Sequence, residues 1–177
     1  MNLSNGIRPF PKKKFSVIYA DPPWKYDFSP SKHFAIESYY PTMYLKDIKK
    51  LPIRTADNAV LYLWATSPKL VEALEVMKVW GFKYKTHAVW DKDSRGMGYW
   101  FLGQHELLLV GTKGKFSPPK ARFIVSSIYT EKRDHKKKSR KPKYFRDLIT
   151  RSFQDESKIE LFARDRTKGW SVWGYEV

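Results

Sequence analysis

Val17-Ile18-Tyr19-Ala20-Asp21-Pro22-Pro23-Trp24 is an apolar run that ends abruptly in a carboxylate, two prolines and an indole. Proline lacks a backbone N–H and holds φ at roughly −65°, so neither proline can continue a central strand. The stretch therefore predicts a strand that ends at Asp21 and a stiff turn beyond it. In open α/β sheets, ligands bind just outside the carboxyl ends of the strands. A carboxylate and a flat aromatic at that position could hold a planar, hydrogen-bonding group such as a nucleobase; the alternative is an ordinary Asp-Pro turn with a packed tryptophan.

The composition indicates a globular chain with a polyanionic partner. Its 177 residues suit a single domain over residues 1–177, and the 42% of hydrophobic and 16% of aromatic residues exclude a disordered polyelectrolyte. A formal net charge of +16 predicts binding to nucleic acid. A membrane partner is not expected, because the sequence has no amphipathic basic helix and no run of about 18 apolar residues.

Two absences in the sequence narrow the class of protein further. With no cysteine, the chain can have no disulfide, no Cys-ligated zinc and no thiol nucleophile. The four histidines occur singly, without the spacing of metal ligands, so no metal is expected. Residues 1–14 lack the apolar core of a signal peptide, and we expect a flexible lead-in and a cytoplasmic protein.

Apolar runs alternate with helical patterns along the chain. This alternation predicts an α/β fold with a mainly parallel sheet and helices on its faces. The predicted strands are residues 15–20, 59–64, 84–90, 106–110, 123–128 and 158–162, with a tail that returns at 170–173. The predicted helices are residues 45–51, 71–79 and 144–153.

Three long connections, residues 25–42, 91–104 and 130–143, are candidate functional loops, because loops above about 12–15 residues usually have a function. Residues 130–143 contain eight lysine or arginine side chains. Most such runs are solvated charged loops, but phosphate contacts would relieve their self-repulsion, and the net charge of the chain favours that interpretation. Tyrosine and tryptophan in the neighbouring loops add stacking surfaces for unpaired bases.

Other motifs are individually weaker. Residues 111–115 contain two glycines and two lysines without the spacing of a P-loop, and we interpret them as a basic turn. No G-x-S-x-G nucleophile elbow is present in the sequence. Glu160 lies inside an apolar strand, where an unpaired carboxylate is costly to bury. Its partner could be Arg164 or the hydroxyl pair of a ligand, since acidic residues bind ribose in doubly wound folds.

Six motifs, in this order, resemble the DPPW-type adenine-N6 methyltransferases, the family that includes the catalytic subunit of the eukaryotic messenger-RNA N6-adenosine methyltransferase. The similarity runs from Phe15 to about Gly174. The motifs are Ala20-Asp21-Pro22-Pro23-Trp24, Tyr40-Pro41-Thr42-Met43, Leu61-Tyr62-Leu63-Trp64, His105-Glu106-Leu107-Leu108-Leu109-Val110-Gly111-Thr112-Lys113-Gly114, Ser139-Arg140-Lys141-Pro142 and Lys158-Ile159-Glu160-Leu161-Phe162-Ala163-Arg164.

The resemblance implies a Rossmann-like fold with helices on both faces of the sheet, and S-adenosylmethionine as the methyl donor. The catalytic motif then precedes the main cofactor strand, which is a permuted order. Tyr40 looks like a wall of the adenine pocket. The implied catalytic residues are Asp21, Pro22, Pro23 and Trp24, and the implied cofactor residues are Asp21, Lys141, Glu160, Leu161 and Arg164. The expected substrate contacts are Trp24, Tyr26, Tyr40, Lys136, Lys137, Lys138 and Arg140.

Two departures from the family pattern concern the cofactor pocket. Relatives usually end in Trp-Gly-Asn, whereas this chain has Trp173-Gly174-Tyr175. The chain also begins too close to Asp21 to carry the upstream strand and acidic residue of larger relatives. We therefore expect a more open cofactor pocket, or one that a homodimer or a partner subunit completes.

The motif also suggests a mechanism. Adenine N6 is a poor nucleophile because its lone pair is delocalised into the ring. Two acceptors aimed at its hydrogens, the Asp21 carboxylate and the Pro22 carbonyl, would localise that lone pair, while Trp24 packs against the base or its pocket. The predicted activity is methyl transfer from S-adenosylmethionine to N6 of adenine in DNA, which is favoured over RNA because the chain is short and lacks appended RNA-binding modules. The alternatives are the same reaction on RNA, a catalytically silent nucleic-acid-binding subunit, and a plain basic DNA-binding module.

Overall fold

A computed structural model describes residues 9–26, 41–98, 100–134, 140–174 and 177. Within these ranges the chain forms one seven-stranded sheet with helices on both faces. The strands are β1 (Phe15–Ala20), β2 (Thr55–Ala65), β3 (Lys83–Asp91), β4 (His105–Lys113), β5 (Ile128–Thr130), β6 (Lys158–Leu161) and β7 (Ser171–Trp173). The helices are α1 (Leu45–Lys49), α2 (Leu70–Val79) and α3 (Lys143–Ser152).

The apolar run before the two prolines forms β1, a central strand. The strand order is β5-β3-β4-β2-β1-β6-β7, and β1 pairs in parallel with β2 on one side and β6 on the other. All six of its residues are buried, as expected for a parallel strand that is covered on both faces. The carboxyl end of β1 therefore delivers Asp21 to the middle of one edge of the sheet.

Four of the six strand pairs are parallel, which confirms the mainly parallel sheet. The exception is β4, which runs antiparallel to both β2 and β3 and was not predicted to reverse. Parallel neighbours need a crossover element between them, and no helix separates β3 from β4. The reversal brings the start of β4 to the edge where β1, β2, β3 and β6 end.

The two faces of the sheet carry separate apolar clusters. On one face, α1 and α2 contribute Ile48, Ala73, Val76 and Met77 to the larger cluster. On the other face, α3 contributes Phe145 and Ile149, and Phe153 follows at its C-cap. The contact between α2 and the sheet is close, because a Cβ added at Gly111 of β4 would lie 2.6 Å from the Met77 sulfur. The helices on both faces that the resemblance implied are thus present.

A buried lysine closes the junction between α3 and β6, at the end of the sheet opposite Asp21. Lys158 begins β6, and its Nζ donates hydrogen bonds to the carbonyls of Phe153 (2.6 Å), Gln154 (2.9 Å) and Glu156 (2.7 Å). The last carbonyls of a helix have no partner within the helix. Phe153 is the C-cap of α3, so Lys158 gives the carbonyl at the helix end a partner and places a positive charge near the negative end of the helix dipole, while its other two bonds hold the turn that follows.

The predicted elements are confirmed, with one error. The strand predicted at 123–128 is wrong: Ala121–Phe123 is a 3₁₀ turn, and β5 occupies only Ile128–Thr130. Ile124 and Val125 are exposed because the apolar run finds a pairing partner, β3, only from Ile128 onward. Other differences are boundaries; β2 and β4 extend beyond their predicted ends, and β6 stops at Leu161. The predicted basic turn is centred on Gly114, which has φ +61°.

Parts of several predicted segments lie outside the described ranges. These are residues 1–8 of the lead-in, 27–40 of the first long loop and 135–139 of the basic segment. At the described end of the lead-in, the ring of Phe10 packs on Trp173, with 4.3 Å between ring centroids. None of the helices described is both long enough and apolar enough to cross a membrane.

Candidate active site

A cavity of about 670 Å³ opens at the edge where β1, β2, β3 and β6 end and β4 begins. Its size is within the range typical of small-molecule sites. Strand ends and the turns beyond them contribute Tyr19, Asp21, Pro22, Pro23, Trp24, Tyr26, Trp64, Trp90, Glu106 and Glu160 to its lining. Flanking segments contribute Glu131, Lys132, Arg133, Asp134, Arg140, Lys141, Lys143, Arg146, Phe162, Ala163 and Arg164.

The Asp-Pro-Pro-Trp turn is held rigidly against β2. The Pro22 carbonyl accepts a hydrogen bond from the Trp24 backbone N–H (2.8 Å), and the Pro23 carbonyl accepts one from Met43 (2.8 Å). The Trp24 indole N–H donates to the Trp64 carbonyl (3.1 Å), and its side chain is only 6% exposed. Trp24 is thus both packed into the core and part of the cavity wall. One lone pair of the Pro22 carbonyl is occupied, and a second is left to accept from a ligand.

Asp21 is the first residue of this turn and has a lysine as its counterion. Lys141 Nζ lies 2.7 Å from Asp21 Oδ2, and the Asp21 side chain is 31% exposed. Among the described residues, no hydrogen bond reaches Asp21 Oδ1. Burial raises the pKa of Asp21 above the ordinary range of aspartate, and the charge of Lys141 offsets part of that rise. Asp21 therefore presents one free acceptor oxygen to the cavity.

Lys141 belongs to a chain of alternating charges that crosses the cavity wall. It also lies 3.3 Å from Glu106 Oε2, and Glu106 Oε1 lies 3.5 Å from Lys92. Burial acts to raise the pKa of Glu106, but the two ammonium groups hold it below the ordinary value. Burial acts to lower the pKa of Lys141, but Asp21 and Glu106 raise it overall. Lys141 is therefore charged at neutral pH and fixes the orientation of Asp21.

Glu160 forms an ion pair with a side chain that the sequence did not single out. Arg146 of α3 lies 2.8 Å from Glu160 Oε2, so Arg146 rather than Arg164 is the ion-pair partner within the chain. The sequence had left the partner open between Arg164 and the hydroxyl pair of a ligand; the first of these does not hold, because Arg164 lies beyond a bend that follows β6. Burial raises the pKa of Glu160, and Arg146 offsets part of that rise. Arg164 lines the cavity instead, and its charge lowers the pKa of Asp21.

The chain bends after β6 at Phe162, whose backbone has a left-handed conformation. Phe162 has φ +61°, a conformation that costs a residue with a Cβ roughly 1–2 kcal/mol. Its ring packs edge-on against Trp173 at 5.6 Å, and the Ala163 N–H donates to the Trp173 carbonyl at 3.0 Å. Packing thus maintains the strained turn, which directs Ala163 and Arg164 to the cavity. Unfavourable backbone geometry of this kind is common at ligand sites.

Aromatic rings form much of the cavity wall and are themselves held in place. The Trp64 indole N–H donates to the Tyr19 hydroxyl at 2.7 Å, and the Trp90 indole N–H donates to the Glu131 carbonyl at 2.8 Å. Trp64 and Trp90 meet edge-on with 6.2 Å between centroids. Fixed aromatic faces beside hydrogen-bonding carboxylates suit a planar heterocycle such as a nucleobase.

Most of the predicted site residues lie together in this cavity. Leu161 is the exception, since its side chain is buried in the core and does not line the cavity. Arg140 lines the cavity and pairs with Asp165 at 2.7 Å on the surface. The other predicted residues that line it are Asp21, Pro22, Pro23, Trp24, Tyr26, Lys141, Glu160 and Arg164. Tyr40, Lys136, Lys137 and Lys138 lie outside the described ranges.

Sequence reasoning missed several residues that line the cavity. Glu106 had a usable signal, because a carboxylate at the start of an apolar strand is unusual. Arg146 had no such signal, since it is one of several basic residues on a helix. Tyr19, Trp64 and Trp90 had been assigned only as strand residues. In the part of the chain that the structure describes, no group of three His, Cys, Asp or Glu side chains is arranged to hold a metal ion.

Comparison with known proteins finds similarity over nearly the whole chain. The profile of a family described as MT-A70 matches residues 15–176. Type II methyltransferase M.MunI of a Mycoplasma species is 39% identical over 196 aligned residues, which cover 99% of this chain and 83% of the relative. The N(6)-adenosine-methyltransferase catalytic subunit METTL3 of Homo sapiens is 28% identical over 93% of this chain. A putative MT-A70-like N(6)-adenosine-methyltransferase of Medicago truncatula is also 28% identical over 93% of this chain. The chain spans only 28% and 26% of the lengths of these last two relatives.

Proposed function

The chain belongs to the MT-A70 family, and on that premise we propose that it transfers a methyl group from S-adenosylmethionine to N6 of adenine in DNA. One observation carries the proposal: Asp21 presents a free acceptor oxygen to an aromatic-lined cavity while Lys141 holds the other oxygen at 2.7 Å. We further propose that residues 1–177 act as a single methyltransferase domain. We also propose that a homodimer or a partner subunit completes the cofactor pocket, which would be visible as a larger species in sedimentation.

The residues of the cavity fit the proposed methyl donor. When bound, S-adenosylmethionine supplies a methyl group already activated on a sulfonium centre. Glu160 stands at the carboxyl end of β6, where an acidic side chain can accept hydrogen bonds from a ribose hydroxyl pair. Arg146 lines the cavity, and its Nε is buried without a hydrogen-bond partner among the described residues, as a site for a polar ligand would leave it. Arg164 and Lys141 can neutralise a carboxylate, and the peptide backbone of Leu161 remains a candidate contact.

Asp21 and the Pro22 carbonyl are the proposed acceptors for the two hydrogens of the adenine amino group. Asp21 uses Oδ1 and Pro22 uses its second lone pair, since Lys141 and the Trp24 N–H occupy the other positions. Accepting both hydrogens directs the nitrogen lone pair out of the ring plane and toward the donor. The rigid Pro22-Pro23 turn keeps these acceptors in place, so that little reorganisation is needed when the base arrives.

The aromatic side chains that line the cavity are the proposed binding surface for the adenine base. Trp24 closes the slot, and Tyr26 is held beside it by a 2.6 Å hydrogen bond between its hydroxyl and Thr66. Tyr40, which the family resemblance implies as a wall of the adenine pocket, is proposed as a further contact. An adenine in duplex DNA must leave the stack to reach this slot, at a cost of a few kcal/mol.

The basic segment, residues 130–143, is the proposed binding site for the phosphates of the nucleic acid. The Arg140–Asp165 ion pair is about half exposed, and exposed pairs contribute little to stability. Arg140 can therefore exchange Asp165 for a phosphate, with Lys136, Lys137 and Lys138 adding charge beside it. We take the Type II designation of the relative that is matched over most of its length to favour DNA. The METTL3 similarity makes RNA the second candidate.

A methylation assay on both polymers tests the proposal. The purified protein is incubated with S-adenosylmethionine and unmethylated DNA or RNA, and N6-methyladenine is measured by mass spectrometry. We expect methylated DNA from the unmodified protein and none from Asp21→Asn, with DNA affinity nearly unchanged. Asp57→Asn is the matched control, because Asp57 is exposed at the start of β2, far from the cavity. Methyladenine in RNA alone would reverse the choice of substrate, and its absence from both polymers would overturn the activity.

A further inference from the structure

The described residues of the connection between β3 and β4, 92–98 and 100–104, form a narrow hairpin that extends beyond the edge of the sheet where the cavity opens. Backbone hydrogen bonds from Lys92 to Gln104 (2.9 Å) and from Gly96 to Gly103 (3.0 Å) close its neck. A Cβ at Gly96 would lie 2.8 Å from the Gly103 carbonyl oxygen, and one at Gly98 would collide with the Phe101 carbonyl. Only glycine permits so close an approach of the two arms. The hairpin is thus a tightly built element.

The tip of this hairpin exposes large apolar side chains. Trp100 is 94% exposed and Phe101 is 90% exposed, with Met97 and Leu102 more than half exposed beside them. Tryptophan is usually among the more buried residues of a protein, so an almost bare indole beside a bare phenyl ring has an energetic cost. Clusters of exposed apolar side chains of this kind mark interaction sites.

We infer that Trp100 and Phe101 form a wedge that inserts into the base stack of the substrate nucleic acid next to the target adenine. This inference rests on the proposed function, because it concerns how the adenine reaches the cavity. Extruding a base leaves a gap in the stack, and apolar wedges inserted between base steps are a known means of stabilising unstacked nucleic acid. The hairpin starts next to Trp90 and Glu106, which line the cavity, so it leaves the sheet at the same edge on which the cavity opens.

The surroundings of the hairpin favour a polyanion as the occupant. The basic segment runs along the hairpin base, where Glu131 N–H bonds to the Asp91 carbonyl (3.0 Å) and Arg133 N–H bonds to that of Lys92 (3.3 Å). Lys132 and Arg133 line the cavity from this position. A second copy of the chain would bring another net charge of +16 to the same place, and the two copies would repel each other. Nucleic acid supplies both the neutralising phosphates and the flat bases on which the rings can stack.

The test compares the double variant Trp100→Ala/Phe101→Ala with Val71→Ala. Val71 is a matched control because it is 76% exposed on α2, on a helix that does not line the cavity. We expect the double variant to bind duplex DNA roughly 10- to 100-fold more weakly, as expected for lost stacking on bases. The slope of log affinity against log salt should stay unchanged, because phosphate contacts determine that slope. S-adenosylmethionine binding, measured by calorimetry, should also be unchanged.

A fluorescent base reports the wedge directly. With 2-aminopurine at the adenine that the wild-type protein methylates, binding of the wild type should raise the fluorescence and binding of the double variant should not. The double variant should also methylate ordinary duplex DNA more slowly than the wild type. A duplex whose target adenine faces an abasic site should restore most of this loss, because that base is already unpaired. Unchanged DNA affinity and fluorescence in the double variant would overturn the inference. So would a wild-type dimer that becomes a monomer in the double variant, which would make the tip an interface between copies.

The two proposals fail separately. Should the wild-type protein bind no S-adenosylmethionine and deposit no methyl group, the methyltransferase proposal fails. The salt titration on plain duplex DNA still compares the wild type with the double variant and decides whether the tip contacts nucleic acid.

Discussion

Replacing Lys141 with methionine should move the acidic limb of the methylation rate to higher pH. Methyl transfer needs Asp21 ionised so that Oδ1 can accept from the adenine amino group. Burial already raises the pKa of Asp21, and Lys141 is the main group that counteracts the rise. In the unmodified protein, the rate at saturating substrates should fall as the pH drops through this raised pKa. Without Lys141 the same fall should begin at a higher pH.

The size of the shift follows from the 2.7 Å distance between Lys141 Nζ and Asp21 Oδ2. Coulomb's law at that distance gives about 1.5 kcal/mol at the dielectric constant of water and about 6 kcal/mol at an effective value near 20. Asp21 is 31% exposed, so the interaction lies between these limits. At about 1.4 kcal/mol per pKa unit, and with typical charge-partner effects as a guide, we expect a rise of about 1–3 units.

Single-turnover methylation at saturating S-adenosylmethionine and DNA, followed from pH 5 to pH 9, measures this shift. Below both limbs the methionine variant should be about 10- to 1000-fold slower, and it should recover toward the wild-type rate at high pH. Lys141→Arg keeps the charge and should keep the limb near its original position. Lys49→Met is a control, because Lys49 forms a 2.6 Å pair with Glu75 on the helices, away from Asp21.

The pH dependence of the free energy of unfolding should also reflect the raised pKa of Asp21. A carboxyl whose folded-state pKa lies above its unfolded value, near 3.9, weakens the fold progressively as the pH rises through the folded pKa. The methionine variant should therefore be less stable at pH 8 than at pH 5, relative to the wild type. A limb that does not move, or a rate loss that is equal at every pH, would refute the role given to Lys141.

Three further substitutions test other parts of the structure. Arg146→Met leaves Glu160 without its ion-pair partner and should lower the free energy of unfolding by about 3–5 kcal/mol in urea titrations. It should also raise KM for S-adenosylmethionine, and Arg146→Lys should partly restore both quantities. Lys158→Met removes the hydrogen-bond donor of three carbonyls in the turn that follows α3 and should cost about 2–4 kcal/mol without changing kcat per folded molecule. Phe162→Gly should be more stable than Phe162→Ala by about 1 kcal/mol in thermal unfolding, since both lose the ring contact and only glycine relieves the positive φ.

Each of these outcomes can fail in a distinct way. An unchanged KM in Arg146→Met would remove Glu160 from the proposed cofactor site. A lowered kcat in Lys158→Met would couple the far end of β6 to the cavity. Equal stability of the two Phe162 variants would show that the left-handed turn is not strained.

The features that were predictable depend on local chemistry. Two prolines after an apolar run end a strand wherever they occur. Residues 17–24 alone therefore predicted β1 and the position of Asp21 at its end. The direction of β4 was not, because an apolar strand pairs equally well in either sense and its reversal depends on the connection before it. The strand predicted at 123–128 failed for a related reason: β-forming residues form a strand only where a partner strand is available.

Arg146 shows the same limit for the site. Glu160 could be predicted to need a cation, because the cost of burying a carboxylate is general. Which cation meets it depends on how α3 packs against β6, and this is a property of the folded sheet. The nearer candidate in sequence, Arg164, is turned elsewhere by Phe162.

The place of β1 in the sheet affects how the chain comes to be folded. β1 precedes the other described strands in the chain, yet one of its two neighbours is β6, and Ser16 at its start bonds to Ser157, 141 positions later. At roughly 5–20 residues per second, a ribosome needs about 7–28 s to supply that partner. During this time the β6 side of β1 has no partner strand, and unpaired apolar strand edges of this kind favour aggregation of incompletely folded chains. Asp21 and Lys141 are themselves 120 positions apart, so the growing chain carries its reactive motif long before it can use it.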